Sequence, residues 1–169
     1  MGRRFGILAV VAKTRALLQR SMGRLSMTVN DILRHKGSHV VTIEPTAPLA
    51  VAVRMLAQHH IGALLATGAD HRIVGVLSER DVVRVLDEKG PAALSAPVAE
   101  VMTRRVVTCD RSETIAGIME RITSGRFRHV PVIEHGRLAG IVSIGDVVKA
   151  RLSELEHEQN ALREYIRTA

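Results

Sequence analysis

The chain repeats itself, and no other feature constrains its fold as strongly. Val40-Val41-Thr42-Ile43-Glu44 matches Val106-Val107-Thr108-Cys109-Asp110 at an offset of 66 residues. The same offset aligns Leu49, Ala50, Val53 and Leu56 with Ile115, Ala116, Met119 and Ile122. Gly75-Val76-Leu77-Ser78-Glu79-Arg80-Asp81-Val82-Val83-Arg84 then matches Gly140-Ile141-Val142-Ser143-Ile144-Gly145-Asp146-Val147-Val148-Lys149 at an offset of 65. The slip falls between the turns Gly68-Ala69-Asp70 and His135-Gly136, where length changes are tolerated. Upstream, Ile32-Leu33 pairs with Val101-Met102 after a three-residue adjustment. Two copies of one unit make up the chain, and a fold must accommodate both.

Each copy predicts the same elements. A short helix (Val29–Leu33; Val98–Met102) precedes a β-branched strand (Val40–Ile43; Val106–Cys109). A helix follows, striped by Leu49, Val53 and Leu56, or by Ile115, Met119 and Ile122, at i, i+3/i+4, i+7 spacing. Pro48 stands at its first turn, where a missing N–H costs nothing. Two apolar runs joined by Gly-containing turns predict a hairpin, Ala63–Ala66 with Ile73–Leu77 and Val130–Ile133 with Leu138–Val142. A last helix opens at Ser78 or Ser143. The order is α-β-α-β-β-α, twice, an α+β class. Residues 27–90 and 98–150 hold the copies, 91–97 the linker, and 1–26 and 151–169 the flanks. A unit of some 60 residues buries little surface alone, so the two are expected to pack sheet to sheet and share one core, with two equivalent clefts between them.

Composition narrows the function. A single Cys among 169 residues excludes a disulfide scaffold and fits a reducing compartment, with the cytoplasm expected. Three aromatic residues, Phe5, Phe127 and Tyr165, are too few for a single-strand stacking platform. The net charge of +7 invites nucleic acid, but residues 1–26 hold six basic residues and no acid. The other 143 residues carry 18 Lys plus Arg against 17 Asp plus Glu. The body is near neutral, and nucleic acid is not an expected partner of it. The leader spaces apolar residues at helical steps between arginines, a pattern suited to an anionic surface or an organellar address, or dispensable to the function. Its apolar run, Phe5 to Ala12, is too short for a membrane span, which needs about 20 residues.

The signature common to both copies is Gly-x-x-Ser-x-x-Asp at a strand-to-helix junction: Gly75-Ser78-Asp81 and Gly140-Ser143-Asp146. Ser-x-x-Asp is a helix cap, since Ser accepts a free amide and Asp suits the positive helix end. The same geometry suits a nucleotide. Free N–H groups attract phosphate, a short carboxylate one turn in can accept ribose hydroxyls, and the Gly is expected to let a ligand approach the strand end. Both readings fit the spacing.

Over residues 27–150 the chain resembles a tandem pair of CBS domains, named after cystathionine β-synthase. The Val-Val-Thr strands, Leu-Ser-Glu-Arg-Asp and Arg-His-Val-Pro-Val carry the resemblance. It implies a pair folded about a pseudo-two-fold axis, a non-catalytic regulatory module, and a homodimer. It also implies an adenosine-containing ligand: AMP first, then ATP, ADP or NAD, and S-adenosylmethionine last. Carried over by position, Asp81 and Asp146 hold ribose hydroxyls, and Ser78 and Ser143 sit at the ribose–phosphate end. Thr42 and Thr108 face the base, while Val76, Ile141, Ile61 and Phe127 enclose adenine.

The copies differ where a phosphate would lie. Arg126, Arg128 and His129 precede Val130-Pro131-Val132, whereas the first copy has His60, Gly62 and Ala63. Arg80 is replaced by Gly145. Positive charge is therefore expected from Arg80 in one copy and from Arg128 and His129 in the other, in one site or two. Arg126 and Arg128 fit a solvated edge strand equally well. His59-His60 and the His35/His39 pair lack the accompanying ligands of a zinc site. Cys109, on a predicted strand, reads as a buried thiol. No residue set for nucleophilic or acid–base catalysis is legible, so no catalytic cofactor and no enzyme activity are expected. Leu152, Leu155, Gln159, Leu162 and Ile166 form a heptad seam. It is too short to dimerise alone and is expected to pack on a second subunit or on the core. Against the sensor reading stand two others: a scaffold with unoccupied clefts, and a basic leader that binds nucleic acid or a membrane surface. The downstream target is not legible.

Overall fold

A computed structural model describes residues 26–70 and 72–168, so the basic leader lies outside the described residues except for Ser26. In the first half, β1 (Thr42–Ile43) runs parallel to β2 (Ala63–Thr67), which pairs antiparallel with β3 (Ile73–Ser78). In the second, β4 (His129–Glu134) pairs antiparallel with β5 (Arg137–Ser143). The helices are α1 (Val29–Lys36), α2 (Leu49–His59), α3 (Glu79–Lys89), α4 (Val98–Val101), α5 (Ile115–Gly125) and α6 (Ile144–Thr168). A 3₁₀ turn, Gly90–Ser95, occupies most of the expected linker and buries Ala93 in the first core. The duplication extends to irregularities: the hairpin registers shift between Ala66 and Thr67 and, 66 residues on, between Val132 and Ile133.

The expected strand Val106–Cys109 shrinks to one parallel bridge, Cys109 with Val132. The cause is Pro131. In the first copy Leu65 donates its N–H to the Val41 carbonyl (3.4 Å). Pro131 stands at the matching position and has no N–H to give. Only the bonds that do not need it survive, from Cys109 N to Pro131 O (3.0 Å) and from Ile133 N to Cys109 O (2.8 Å).

The sequence repeat is not the packing unit, because the leading helices cross. Val29, Ile32 and Leu33 of α1 are buried with Ile115, Ile118, Val130 and Val142 of the second copy. Val98 and Val101 of α4 are buried with Leu49, Leu64 and Leu77 of the first. The hydrogen bonds at the crossings match in pairs. Val29 N donates to Glu113 O and Ile115 N to Met27 O, as Val98 N donates to Ala47 O and Leu49 N to Ala96 O, all within 2.8–3.0 Å. Burying Val29, Ile32 and Leu33 contributes about 1.5–3 kcal/mol each, enough to tie the halves together. The expectation of one shared core is corrected: the described residues form two cores, each covered in part by a helix of the other copy.

That crossing reassigns the signature glycines. A Cβ on Gly140 would lie 2.8 Å from Leu33 Cδ2, and one on Gly75 would overlap Met102. Neither glycine lines a cleft. The expectation that they admit a ligand is thus corrected: they admit the crossing helices.

Candidate functional site

Both helix starts carry the same reciprocal cap. Asp81 Oδ2 accepts the Ser78 amide (3.0 Å) and hydroxyl (2.6 Å), while the Asp81 amide donates to Ser78 Oγ (3.3 Å). Ser143 and Asp146 repeat it at 2.7, 2.8 and 3.2 Å. Thr28 and Asp31 make similar contacts at the start of α1, and neither residue lines a cleft. The capping reading is therefore correct, and the cap alone identifies nothing. What distinguishes Asp81 is its surroundings.

The first cleft, about 550 Å³, joins the α3 start of the first copy to the β4 entry of the second. Ser78, Arg80 and Asp81 meet Arg126, Phe127, Arg128 and His129 there. The volume is in the range of small-molecule sites. Val76, Val106, Val107 and Phe127 supply an apolar wall, while Arg80, Arg105, Arg126 and Arg128 outnumber Glu79 and Asp81. Phe127 folds back over Gly125, where a Cβ would overlap its ring. Arg126 takes a left-handed backbone (φ 55°) that ends α5, as His60 (φ 53°) ends α2 at the matching position. Arg80 and Arg128, from different copies, line the same cleft.

The second cleft, about 370 Å³, is the pseudo-symmetric partner. Ile141 and Ser143 of the second copy meet Val40, Val41, Ile61 and the histidines His39, His59 and His60 of the first. Among the described residues its one fixed cation is Lys36, at the end of α1. Lys36 Nζ lies 2.6 Å from Asp146 Oδ2. Among the described residues no three His, Cys, Asp or Glu side chains converge as a metal site.

His129 lines both clefts. Burial holds its imidazole below the ordinary histidine range, and Lys36 pushes the same way against Asp146 and Glu79. That direction favours the neutral imidazole and argues against His129 as a source of positive charge. The Asp146 carboxyl is held below its ordinary range: burial opposes this, but hydrogen bonds from Lys36 and Ser143 outweigh it. Burial, with Glu113 adding, pushes the Cys109 thiol up to about 12, so it stays protonated. Thr42, Thr108 and Asp146 line neither cleft; Val41 and Val107, beside the two threonines, do. Sequence reasoning missed Thr103, Arg105 and Lys36. Thr103 and Arg105 follow α4, whose crossing sets Thr103 against Val76 (N–H to O, 2.8 and 3.0 Å). Periodicity within one copy gives no signal for such a contact.

A model of the CBS domain matches residues 28–88 and again 98–153. The chain belongs to the CBS domain family. A mitochondrial CBS domain-containing protein of Arabidopsis thaliana is 32% identical, over 83% of this chain and 72% of its own. Among solved structures, a CBS-domain containing protein from Agrobacterium tumefaciens is 48% identical with a TM-score of 0.73, covering 75% of this chain and 94% of that one. A CBS domain protein from Pyrobaculum aerophilum, solved in complex with AMP, is 25% identical with a TM-score of 0.64, covering 71% of this chain and 89% of that one. The α+β architecture of two CBS repeats is therefore established. No described helix of this CBS pair is long and apolar enough to cross a membrane.

Proposed function

We propose that this CBS pair is a non-catalytic regulatory module that binds an adenine nucleotide in its first cleft. The observation that carries the reading is the composition of that cleft. One mouth gathers a ribose-competent carboxylate (Asp81), an apolar wall of Val76, Val106, Val107 and Phe127, and the arginines Arg80, Arg126 and Arg128. A flat base needs the wall, a diol the carboxylate, and phosphates the planar guanidinium forks. The AMP complex of the Pyrobaculum relative supports the same ligand class. Because the cleft walls come from different copies, a bound nucleotide bridges them. It favours whichever arrangement of the copies it binds more tightly, and that differential affinity is the regulatory signal.

The test is thermal unfolding with AMP, ADP, ATP, NAD or S-adenosylmethionine added singly at millimolar concentration. A ligand at about 100 times its dissociation constant stabilises by roughly 2.7 kcal/mol, a rise of several degrees. A rise with an adenosine ligand, absent with its guanosine analogue and lost in Asp81→Asn, is the expected result. No rise with any of them overturns the sensor and leaves a scaffold with unoccupied clefts.

The pair is proposed to work as a homodimer through α6. The seam residues Leu152, Leu155, Leu162 and Ile166 are 44–67% exposed, so they do not pack on their own core. Every described side chain from Leu155 to Arg167 is exposed. A solvated helical extension is marginal without a partner. A second copy lying parallel fits its charges: in that register Glu158 faces Arg163 of the other helix on both sides, and Gln159 meets its own copy at the seam. The cytoplasm is the proposed compartment. Import of a reporter fused to residues 1–26 into mitochondria, the compartment named for the Arabidopsis relative, would replace that assignment.

A further inference from the structure

We infer that the two clefts are unequal by construction, and that Lys36 closes the second, leaving the chain one nucleotide site. The inference rests on the nucleotide reading of the first cleft. It starts from the carboxylates that a ribose diol would need. Asp146 Oδ2 already accepts three donors: the Ser143 amide at 2.7 Å, the Ser143 hydroxyl at 2.8 Å and the Lys36 ammonium at 2.6 Å. A carboxylate oxygen has two lone pairs, so Oδ2 is filled and a diol is left with Oδ1 alone, beside a charge-assisted ammonium bond. Lys36 lines that cleft and the Asp146 it bonds does not, whereas Asp81 lines the first. Lys36 is also tethered: α1 is pinned in the second core by Val29, Ile32 and Leu33. A group held in place competes at a high effective concentration against a free ligand.

The first cleft has no such plug. Among the described residues, Asp81 Oδ2 accepts only the two Ser78 donors. Its other oxygen meets Arg84 at 3.2 Å, but Arg84 lies outside the cleft lining, on the solvent side of α3 with 56% of its side chain exposed. Charge divides the same way. Among the described residues, four arginines line the first cleft, whereas the sole fixed cation of the second is paired with Asp146. The source is the crossing of α1, which brings Lys36 onto the α6 start; across the pseudo-axis α4 ends at Val101, and Arg105 beyond it lines the first cleft without an ion pair to Asp81.

Titration calorimetry with ADP reads the number of sites directly. The wild-type chain is expected to bind one ADP and Lys36→Met two, with Lys36→Arg, which keeps the cation, at one. Asp81→Asn in the otherwise wild-type chain is expected to lose at least tenfold in affinity at the only site. Thermal melts without ligand check that each variant is folded. Two ADP per wild-type chain, one or none per folded Lys36→Met chain, or wild-type affinity in Asp81→Asn would each overturn the inference. The Asp81→Asn result stands even where Lys36→Met does not fold. Absence of ADP binding to the wild type and to Lys36→Met alike would instead overturn the nucleotide reading beneath it.

Discussion

At the scale of single residues, the clefts are tuned by what surrounds each polar group. His129 is the clearest case: it is enclosed by Lys36, Arg128, Asp146 and Glu79, and burial favours its neutral form. The consequence for stability has a definite sign. Its folded pKa lies below the ordinary 6.5, so between the two values the unfolded chain binds the extra proton. Stability from this residue is fully present above about pH 6.5 and is lost as the pH falls below it. The melting temperature is expected to decline on that acid side, and His129→Gln to flatten the decline. A wild-type profile level from pH 7.5 to 5 would contradict the account. Asp31 and Asp146, whose carboxyls are held below their ordinary 3.8, add a separate loss only as the pH falls through that value. Cys109 has no part in such chemistry, since its buried thiol does not ionise near neutrality.

Among the elements, the decisive event is the exchange of leading helices. The glycine of each Gly-x-x-Ser-x-x-Asp signature is where a crossing side chain touches the strand backbone: Leu33 against Gly140 and Met102 against Gly75. Gly140 is buried within β5, and its Cβ would press on a branched side chain that is itself 4% exposed. Overpacking of this kind costs about 1–3 kcal/mol. Gly140→Ala is therefore expected to lower the melting temperature by several degrees, measured without ligand. Leu33→Ala combined with it should restore part of the loss by making room, which strictly additive effects of the two changes would exclude. Pro131 acts at the same scale, shortening one ladder that its counterpart Leu65 extends.

For the whole molecule, α6 is the element with unfinished packing. Its first turns are anchored by buried Val147, Ala150 and Glu154, the last accepting the Met27 amide at 2.8 Å. Beyond them the helix leaves the body with its apolar seam exposed. Leu162→Glu places a charge in that seam, far from both clefts. Sedimentation is expected to show a dimer for the wild type and a monomer for Leu162→Glu, with nucleotide binding retained. A monomeric wild type would sink the proposal.

The order α-β-α-β-β-α, its duplication and the two hairpins were legible in the sequence, because they follow from local periodicity and turn chemistry. So were the caps at Ser78 and Ser143, which need only a four-residue spacing. The CBS resemblance rested on these same local features. Three things were decided by the tertiary structure alone. Which core each leading helix joins depends on contacts far apart in sequence, such as Val29 N to Glu113 O for α1 and Val98 N to Ala47 O for α4. Which arginines share a cleft follows from that crossing, as Arg80 and Arg128 lie in different copies. Lys36 and Asp146, separated by 110 residues, become partners for the same reason. A repeat records what each unit wants to be; how two units divide their surfaces is set by the apolar area neither can bury alone.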